Sequence, residues 1–161
     1  MNNKKYVLFL DMDGVICNFG KAIKNIGVSF DELNDSDPVG SWAKIDNAGV
    51  EFWSEMEWMP DGKKLWDYVK KYRPNILSSP GKHTNGEKGK LEWIKRELGD
   101  DVGDIYLVPK KLKQEYALDH NYILIDDHPG NIWRWKKAGG HGIEHPFNSD
   151  KTIEKLKKLG L

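Results

Sequence analysis

The sequence predicts an α/β protein whose five parallel strands form one sheet between two layers of helices. Two apolar runs, at residues 6–10 and 122–125, are short and continuous, which is typical of strands that are buried on both faces. Further strands are predicted at 75–78, 105–108 and 142–143, and the strands alternate with stretches of helical periodicity. Strands that alternate with helices favour parallel pairing through right-handed crossovers, and therefore a three-layer sheet.

The helices that connect these strands are predicted from the periodic spacing of apolar residues. The first is expected to run from residue 15 to about 27, with Ile16, Phe19 and Ile23 on one face. Residues 81–89 are rich in glycine and basic, and are expected to form a loop that lacks the Gly-Lys-Ser/Thr ending of a P-loop. Further helices are expected at residues 63–72, 90–98, 131–138 and 150–159, with a short helix ending near Leu118.

The pattern changes between residues 18 and 59, where acidic residues, glycine and short helical pieces alternate without a strand signal. Ser29 can cap a helix, and acids follow it as they do in a first helical turn. We interpret this segment as a small helical cap that is inserted after the first strand and lies over its carboxyl end. Residues 1–17 and 60–161 would form the core, so the predicted architecture is Rossmann-like with a cap.

Length, charge and cysteine content restrict the class of protein. A chain of 161 residues fits one domain with a small insertion. Its 25 basic residues balance 25 acidic ones, so no net field attracts nucleic acid or an anionic membrane. The single cysteine, Cys17, excludes an internal disulfide and is expected to be a buried, inert thiol. Residues 1–5 do not resemble a signal peptide and no apolar run is long enough to span a bilayer, so a cytoplasmic protein is expected.

Two pairs of acidic residues follow two of the predicted strands. Asp11 and Asp13 come directly after the first strand, and Gly14 permits a tight turn there. Asp126 and Asp127 follow the strand at 122–125 in the same way. An isolated pair would be an ordinary polar turn, but the carboxyl ends of parallel strands meet in one crevice. Carboxylates that are brought together repel one another, so the sequence predicts a divalent cation between them.

Polar residues follow two of the other predicted strands. Ser78 and Ser79 end the second strand, and Lys111 and Lys113 follow the third. Each has an ordinary explanation alone, since serine often ends a strand and loop lysines are usually solvated. In combination with the acidic pairs they resemble the four motifs of the haloacid dehalogenase superfamily of phosphohydrolases, in order and in position. The segments that carry this resemblance, which covers nearly the whole chain, are Asp-Met-Asp-Gly-Val, Ile-Leu-Ser-Ser-Pro and Leu-Ile-Asp-Asp.

A narrower resemblance is to the 5′(3′)-deoxyribonucleotidase family and its phage and bacterial relatives. It rests on residues 11–19 (DMDGVICNF), on the Phe-Trp-Ser-Glu-Met stretch from Phe52, and on residues 77–80. In that family a phenylalanine and aromatic residues of the cap enclose the nucleoside. The substrate contacts that the resemblance implies here are Phe19, Trp42, Trp53, Ser79 and Lys111.

The resemblance implies hydrolysis of a phosphomonoester through a covalent intermediate. Asp11 would attack phosphorus in line and form an aspartyl-phosphate. Asp13 would protonate the leaving oxygen and later deprotonate the attacking water. Ser78 and Lys113 would hold the phosphoryl oxygens, with Lys111 as the alternative for the motif lysine.

The cofactor implied by the same resemblance is Mg²⁺, because the ligands on offer are hard oxygens rather than sulfur or nitrogen. Asp11, the main-chain carbonyl of Asp13 and Asp127 would ligate the ion, while Asp126 would orient this shell. The sequence does not decide which of Asp126 and Asp127 ligates the ion directly. The histidines that are expected to be structural or superficial are His128, His141 and His145.

Several other functions share some of these features. A polynucleotide 3′-phosphatase has the same motifs, but the balanced charge disfavours a groove that grips a polymer backbone. A receiver domain also combines an acidic pair with a serine or threonine and a lysine, but there the pair follows the first strand and no cap is inserted. A small-metabolite phosphatase stays open, and a nucleotide-binding module is disfavoured because every catalytic position is filled. The expected partner is a small phosphate ester, most simply a nucleoside monophosphate, and a homodimer is possible.

Overall fold

The computed structural model describes residues 5–161 and contains one five-stranded, fully parallel sheet. In sheet order the strands are β3, β2, β1, β4 and β5, so the first strand is central. The fold class and the helical insertion after the first strand are therefore as the sequence predicts. Residues 1–4, which the prediction assigned to the core, lie outside the described residues. The strands are β1 (Val7–Leu10), β2 (Asn75–Ser78), β3 (Ile105–Leu107), β4 (Tyr122–Asp126) and β5 (His141–Glu144).

Helices connect the strands and occupy both faces of the sheet. A π-helical turn covers Glu32–Ser36, and 3₁₀ helices cover Lys70–Tyr72 and Lys110–Tyr116. Among residues 5–161, no helix has the length and apolar character needed to cross a membrane. The α-helices are α1 (Phe19–Asn25), α2 (Pro38–Asn47), α3 (Gly49–Ser54), α4 (Gly62–Val69), α5 (Thr84–Glu97), α6 (Pro129–Lys137) and α7 (Ser149–Lys158).

The first helix begins at Phe19, four residues later than predicted. The backbone N–H groups of Val15, Ile16 and Cys17 all point to the carbonyl oxygen of Met12, at 2.9–3.1 Å. This convergence closes a tight turn instead of the first turn of a helix. The turn keeps the residues that follow β1 at the carboxyl edge of the sheet.

The predicted loop at 81–89 is wrong for most of its length, because α5 already begins at Thr84. Glycine is a poor helix former, and its abundance here favoured a loop. The structure shows what the glycines do instead. A Cβ on Gly86 would overlap the Pro80 carbonyl, and one on Gly89 would lie 2.6 Å from the Val50 carbonyl oxygen. The glycines therefore let the helix pack closely against neighbouring backbone, and this packing outweighs their low propensity.

The central strand separates two apolar cores because successive side chains point to opposite faces. Leu8 and Leu10 belong to the larger core, beneath α4, α5 and α7, whereas Phe9 points to a smaller one. There Phe9 contacts Trp135 of α6, with ring centroids 5.2 Å apart. Cys17 is buried in the larger core, as predicted.

The segment 18–59, named the cap segment below, consists of helical pieces that lie beside the carboxyl end of the sheet. Its helix α3 packs along α5, where the Trp53 Cβ would lie 2.5 Å from a Cβ on Gly89. Trp53 also stacks on Phe19, with ring centroids 5.8 Å apart. The division into a core and a separate cap domain stays a prediction.

Candidate active site

The two predicted acidic pairs meet at the carboxyl ends of β1 and β4. These strands are direct neighbours, with Leu10 opposite Ile125 in the register, so the residues that follow them converge. One carboxylate oxygen from each of Asp11, Asp126 and Asp127 lies within 4.8 Å of the other two. Acids separated by more than a hundred residues in the chain thus form one cluster. His128, His141 and His145 join no such group of three or more ligands in the part of the chain that the structure describes.

Lys113, and not Lys111, reaches into this cluster. Its Nζ lies 3.0 Å from Oδ1 of Asp11 and 2.8 Å from Oδ2 of Asp126, and the residue is 3 % exposed. Burial alone would lower the pKa of this lysine, but the carboxylates of Asp11 and Asp126 outweigh it and raise the pKa above the usual range. Lys113 therefore carries a permanent positive charge beside Asp11.

Asp126 is fully buried, and both of its carboxylate oxygens already accept hydrogen bonds. In addition to Lys113, it accepts hydrogen bonds from the backbone N–H of His128 at 2.8 Å and from Nδ2 of Asn131 at 3.0 Å. Asn131 in turn accepts a bond from Nη2 of Arg134 at 2.7 Å. The Asp127 carboxylate is bonded to its own backbone N–H, is engaged by no other residue in the described range 5–161, and lines the cavity above the cluster. The geometry favours Asp127 as the ligand that faces a metal and Asp126 as the residue that orients its neighbours.

Lys90 is a buried cation that sequence reasoning missed. Its Nζ donates to Oδ2 of Asp13 at 2.7 Å, to Oγ of Ser78 at 2.9 Å and to the carbonyl oxygen of Ser79 at 2.6 Å. All three ammonium protons are used, and the residue is 0 % exposed. Because α5 was expected to begin at residue 90, Lys90 was placed at a helix end. The sequence feature that could have predicted its burial is its position four residues before Ile94, on the apolar face of the helix.

The carboxylates of this cluster are electrostatically crowded. Burial raises the pKa of Asp11 to about 6, and the Asp126 charge adds to this while Lys113 opposes it. Burial and the charges of Asp11 and Asp126 raise the pKa of Asp127 to about 8. Lys90 and Lys113 therefore do not neutralise the four carboxylates of Asp11, Asp13, Asp126 and Asp127. A cation between the carboxylates would reduce this excess of negative charge.

The donor set and the local backbone fit Mg²⁺. Asp11 and Asp127 offer hard carboxylate oxygens within 4.8 Å of each other. Gly14 has a φ of 78°, and a Cβ there would overlap the Asp127 carboxylate. The turn after β1 can thus approach Asp127 closely only because residue 14 is glycine.

A cavity of about 660 Å³ opens above the cluster. The predicted contacts Ser79 and Lys111 line it, whereas Ser78 is fully buried beneath it, bonded to Lys90. The basic side chains on the wall are Lys82, Lys110 and Lys111, in addition to Lys113. The apolar wall is formed by Phe19, Phe30, Leu33, Trp42 and Trp53.

The predicted aromatic contacts differ in how much of each ring is available. Trp53 is 3 % exposed and packs against the glycines of α5, so it has a clear packing role. Trp42 is half-buried, and Nζ of Lys82 lies 5.4 Å from its ring centroid. Phe19 is also half-buried and packs between Trp53 and Phe30. Of the predicted contacts, Phe19 and Trp42 therefore have ring surface left to contact a ligand, and Phe30 on the same wall is 54 % exposed.

No family model matches the sequence, and no curated protein matches it either. Solved structures do match, and they show the fold. A haloacid dehalogenase-like hydrolase from Streptococcus pneumoniae is 13 % identical, with a TM-score of 0.58 over 88 % of this chain and 84 % of its own. A putative hydrolase of the same superfamily from Bacillus subtilis, bound to magnesium, is 13 % identical, with a TM-score of 0.56 over 85 % and 87 %.

A third match is a superfamily enzyme from Bacteroides thetaiotaomicron in complex with magnesium and inorganic phosphate. It is 17 % identical, with a TM-score of 0.50 over 86 % of this chain and 93 % of its own. The structural neighbours are thus hydrolases of the haloacid dehalogenase superfamily, and the chain has their Rossmann-like fold. The narrower resemblance to deoxyribonucleotidases stays a prediction.

Proposed function

We propose that this chain is a Mg²⁺-dependent phosphomonoesterase that hydrolyses nucleoside and deoxynucleoside monophosphates through an aspartyl-phosphate. The observation that carries the proposal is the cluster at the cavity floor. There Asp11 lies within 4.8 Å of Asp126 and Asp127 and is paired with Lys113 at 3.0 Å. The fold shared with superfamily hydrolases supports the same reaction class.

Asp11 is the nucleophile in this proposal. Lys113 binds one of its oxygens and so fixes the orientation of the carboxylate. With a pKa of about 6, Asp11 is mostly ionised at neutral pH, as a nucleophile must be. A bond forms between its oxygen and phosphorus while the ester P–O bond breaks, and the leaving oxygen takes the electron pair. Water then hydrolyses the aspartyl-phosphate to release phosphate and the free carboxylate.

Asp13 moves the proton in both steps. Lys90 holds its Oδ2, while Oδ1 is buried without a hydrogen-bond partner among the described residues. Asp13 lines the cavity, and because Lys90 occupies Oδ2, Oδ1 would protonate the leaving group and then accept a proton from water. Mg²⁺, held by Asp11 and Asp127, would supply neutralisation of phosphate charge. Lys113 and Lys90 add two fixed positive charges at the floor.

The cavity supports a nucleoside as the leaving group. A volume of about 660 Å³ lies in the range of small-molecule sites, which is roughly 300–1,000 Å³. Half-buried Phe19 and Trp42 offer ring surface on which a base can stack. A small-metabolite phosphatase would need less apolar wall, and a polynucleotide phosphatase would need a basic groove, which the net charge of zero does not favour. A binding module without catalysis would not require the unpartnered Asp13 oxygen.

The test is phosphate release from a panel of nucleoside monophosphates and sugar phosphates, with and without Mg²⁺. Asp11→Asn is expected to lower kcat by more than about a thousandfold, because an amide is a poor nucleophile. The exposed Asp100→Asn serves as the matched control, and circular dichroism checks that both variants fold. Asp11→Asn turnover within about tenfold of the parent would contradict the mechanism. Release from sugar phosphates alone would leave a phosphatase but remove the nucleotide assignment.

A further inference from the structure

Two side-chain amides of the described residues line the cavity, and the hydrogen bonds within residues 5–161 engage one of them. Asn131 donates to Asp126 and accepts from Arg134, so both ends of its amide are engaged. Asn34 lies on the apolar wall formed by the cap segment, beside Leu33. Its side chain is exposed, lines the cavity and makes no hydrogen bond to any residue in the described range 5–161. An uncharged donor and acceptor without a partner in that range therefore lines the same cavity as the aromatic rings of Phe19 and Trp42.

Asn34 lies in an unusual piece of backbone. It is in the π-helical turn Glu32–Ser36, which is closed by the bond from the Asp37 N–H to the Glu32 carbonyl at 2.9 Å. Such turns are rare, and they often occur at functional sites. Leu33 and Asn34 both belong to this turn and both line the cavity.

Both ends of this turn are held by side-chain hydrogen bonds. At the start, Ser29 and Glu32 form a reciprocal capping box, with N···O distances of 2.8 and 3.2 Å. At the end, the Asp37 carboxylate accepts the Gly40 N–H at 3.0 Å and begins α2. These bonds hold the backbone around Asn34 before any ligand binds. A preorganised polar group costs less to order on binding than a free one.

We propose that Asn34 is a specificity residue that hydrogen-bonds the edge of the nucleobase. This inference rests on the proposed function and states which part of the substrate the cap segment recognises. The amide presents one N–H donor beside one carbonyl acceptor. Each nucleobase has an edge with a neighbouring donor and acceptor, and a phenyl ring has none. Stacking on Phe19 and Trp42 would accept any flat ring, whereas Asn34 selects a flat ring with a polar edge.

Steady-state kinetics of Asn34→Leu test this assignment. Leucine keeps the approximate size of asparagine and removes both hydrogen-bonding groups. The substrates are four nucleoside 5′-monophosphates, ribose 5-phosphate and p-nitrophenyl phosphate. The KM for the nucleotides is expected to rise about fivefold to fiftyfold, the effect of losing one or two neutral hydrogen bonds. The KM for ribose 5-phosphate and kcat for p-nitrophenyl phosphate are expected to stay within about twofold of the parent.

The matched control is Asn47→Leu, which makes the same change at an exposed position of the cap segment outside the cavity lining. It is expected to leave every KM unchanged. Nucleotide KM values of Asn34→Leu within about twofold of the parent, with nucleotide turnover intact, would overturn the inference and leave the proposed function standing. An equal rise for all three substrate types, or a lower Tm, would mean a structural role and also overturn it. A parent enzyme that hydrolyses only the two small esters would remove the nucleotide assignment, and the inference with it.

Discussion

Replacing Lys90 with methionine tests the least expected feature of the site, its buried ammonium group. The change keeps most of the aliphatic stem and removes three donated hydrogen bonds, to Asp13, Ser78 and the Ser79 carbonyl. Loss of one partner of a buried ion pair costs about 3–5 kcal/mol of unfolding free energy. The lower end applies here, because the Asp13 side chain is 28 % exposed and water can solvate it in part. We therefore expect a loss of about 3 kcal/mol.

Thermal unfolding and turnover provide the two measurements. For a chain of this size, about 3 kcal/mol corresponds to a decrease in Tm of roughly 6–12 °C. Lys88→Met is the matched control, because Lys88 is exposed on the same helix and such surface changes cost less than about 0.5 kcal/mol. Where folded, Lys90→Met should also lower kcat by about a hundredfold or more, because Asp13 loses the contact that orients it for proton transfer.

The choice of substrate separates a role in positioning Asp13 from a role in folding. A nucleoside is a poor leaving group and needs its proton, whereas p-nitrophenolate leaves without one. The kcat of Lys90→Met should therefore fall more for a nucleotide than for p-nitrophenyl phosphate. The reasoning would be refuted if Lys90→Met and Lys88→Met had Tm values within about 2 °C of each other, or if the nucleotide kcat were unchanged.

Two further substitutions probe the metal and the aromatic wall. Asp127→Asn should raise the Mg²⁺ concentration for half-maximal activity by at least about tenfold, whereas the exposed control Asp150→Asn should not. Unchanged Mg²⁺ affinity by calorimetric titration would reassign the ligand to Asp126. Phe19→Ala and Trp42→Ala should each raise the nucleotide KM by about tenfold to a hundredfold, with little effect on p-nitrophenyl phosphate, since base stacking contributes roughly 1–3 kcal/mol. Equal losses on both substrates together with a lower Tm would mean that these rings only pack the cap segment.

The order of the strands along the chain and the convergence of the acidic pairs could be predicted from sequence because both depend on local pattern. A short continuous apolar run predicts a strand buried on both faces, as β1 and β4 are. Parallel strands then place the residues that follow them at one edge. The proximity of Asp11 and Asp127 could therefore be predicted from the sequence without knowledge of any side-chain contact.

Choices between neighbouring residues were decided only by the tertiary structure. The 3₁₀ helix Lys110–Tyr116 turns Lys113 toward Asp11 and leaves Lys111 at the cavity wall. Sequence spacing favoured Lys113 but could not exclude Lys111, since two lysines two residues apart differ only in where the backbone points them. The same holds for Asp126 and Asp127, because Asn131 and Lys113 engage only the first.

The features that sequence reasoning missed all depend on contacts between distant segments. Helix α5 begins at Thr84 because Gly86 and Gly89 let it pack on the Pro80 and Val50 backbone, which propensity does not anticipate. That early start places Lys90 in the middle of the helix instead of at its end, and its Nζ lies 2.7 Å from Oδ2 of Asp13, a residue 77 positions earlier in the chain. Local sequence pattern thus determined which helices and strands form and which functional groups lie at the ends of the strands. Long-range packing decided which side chains of each element face the site, because the buried face of a helix depends on the segments that pack against it.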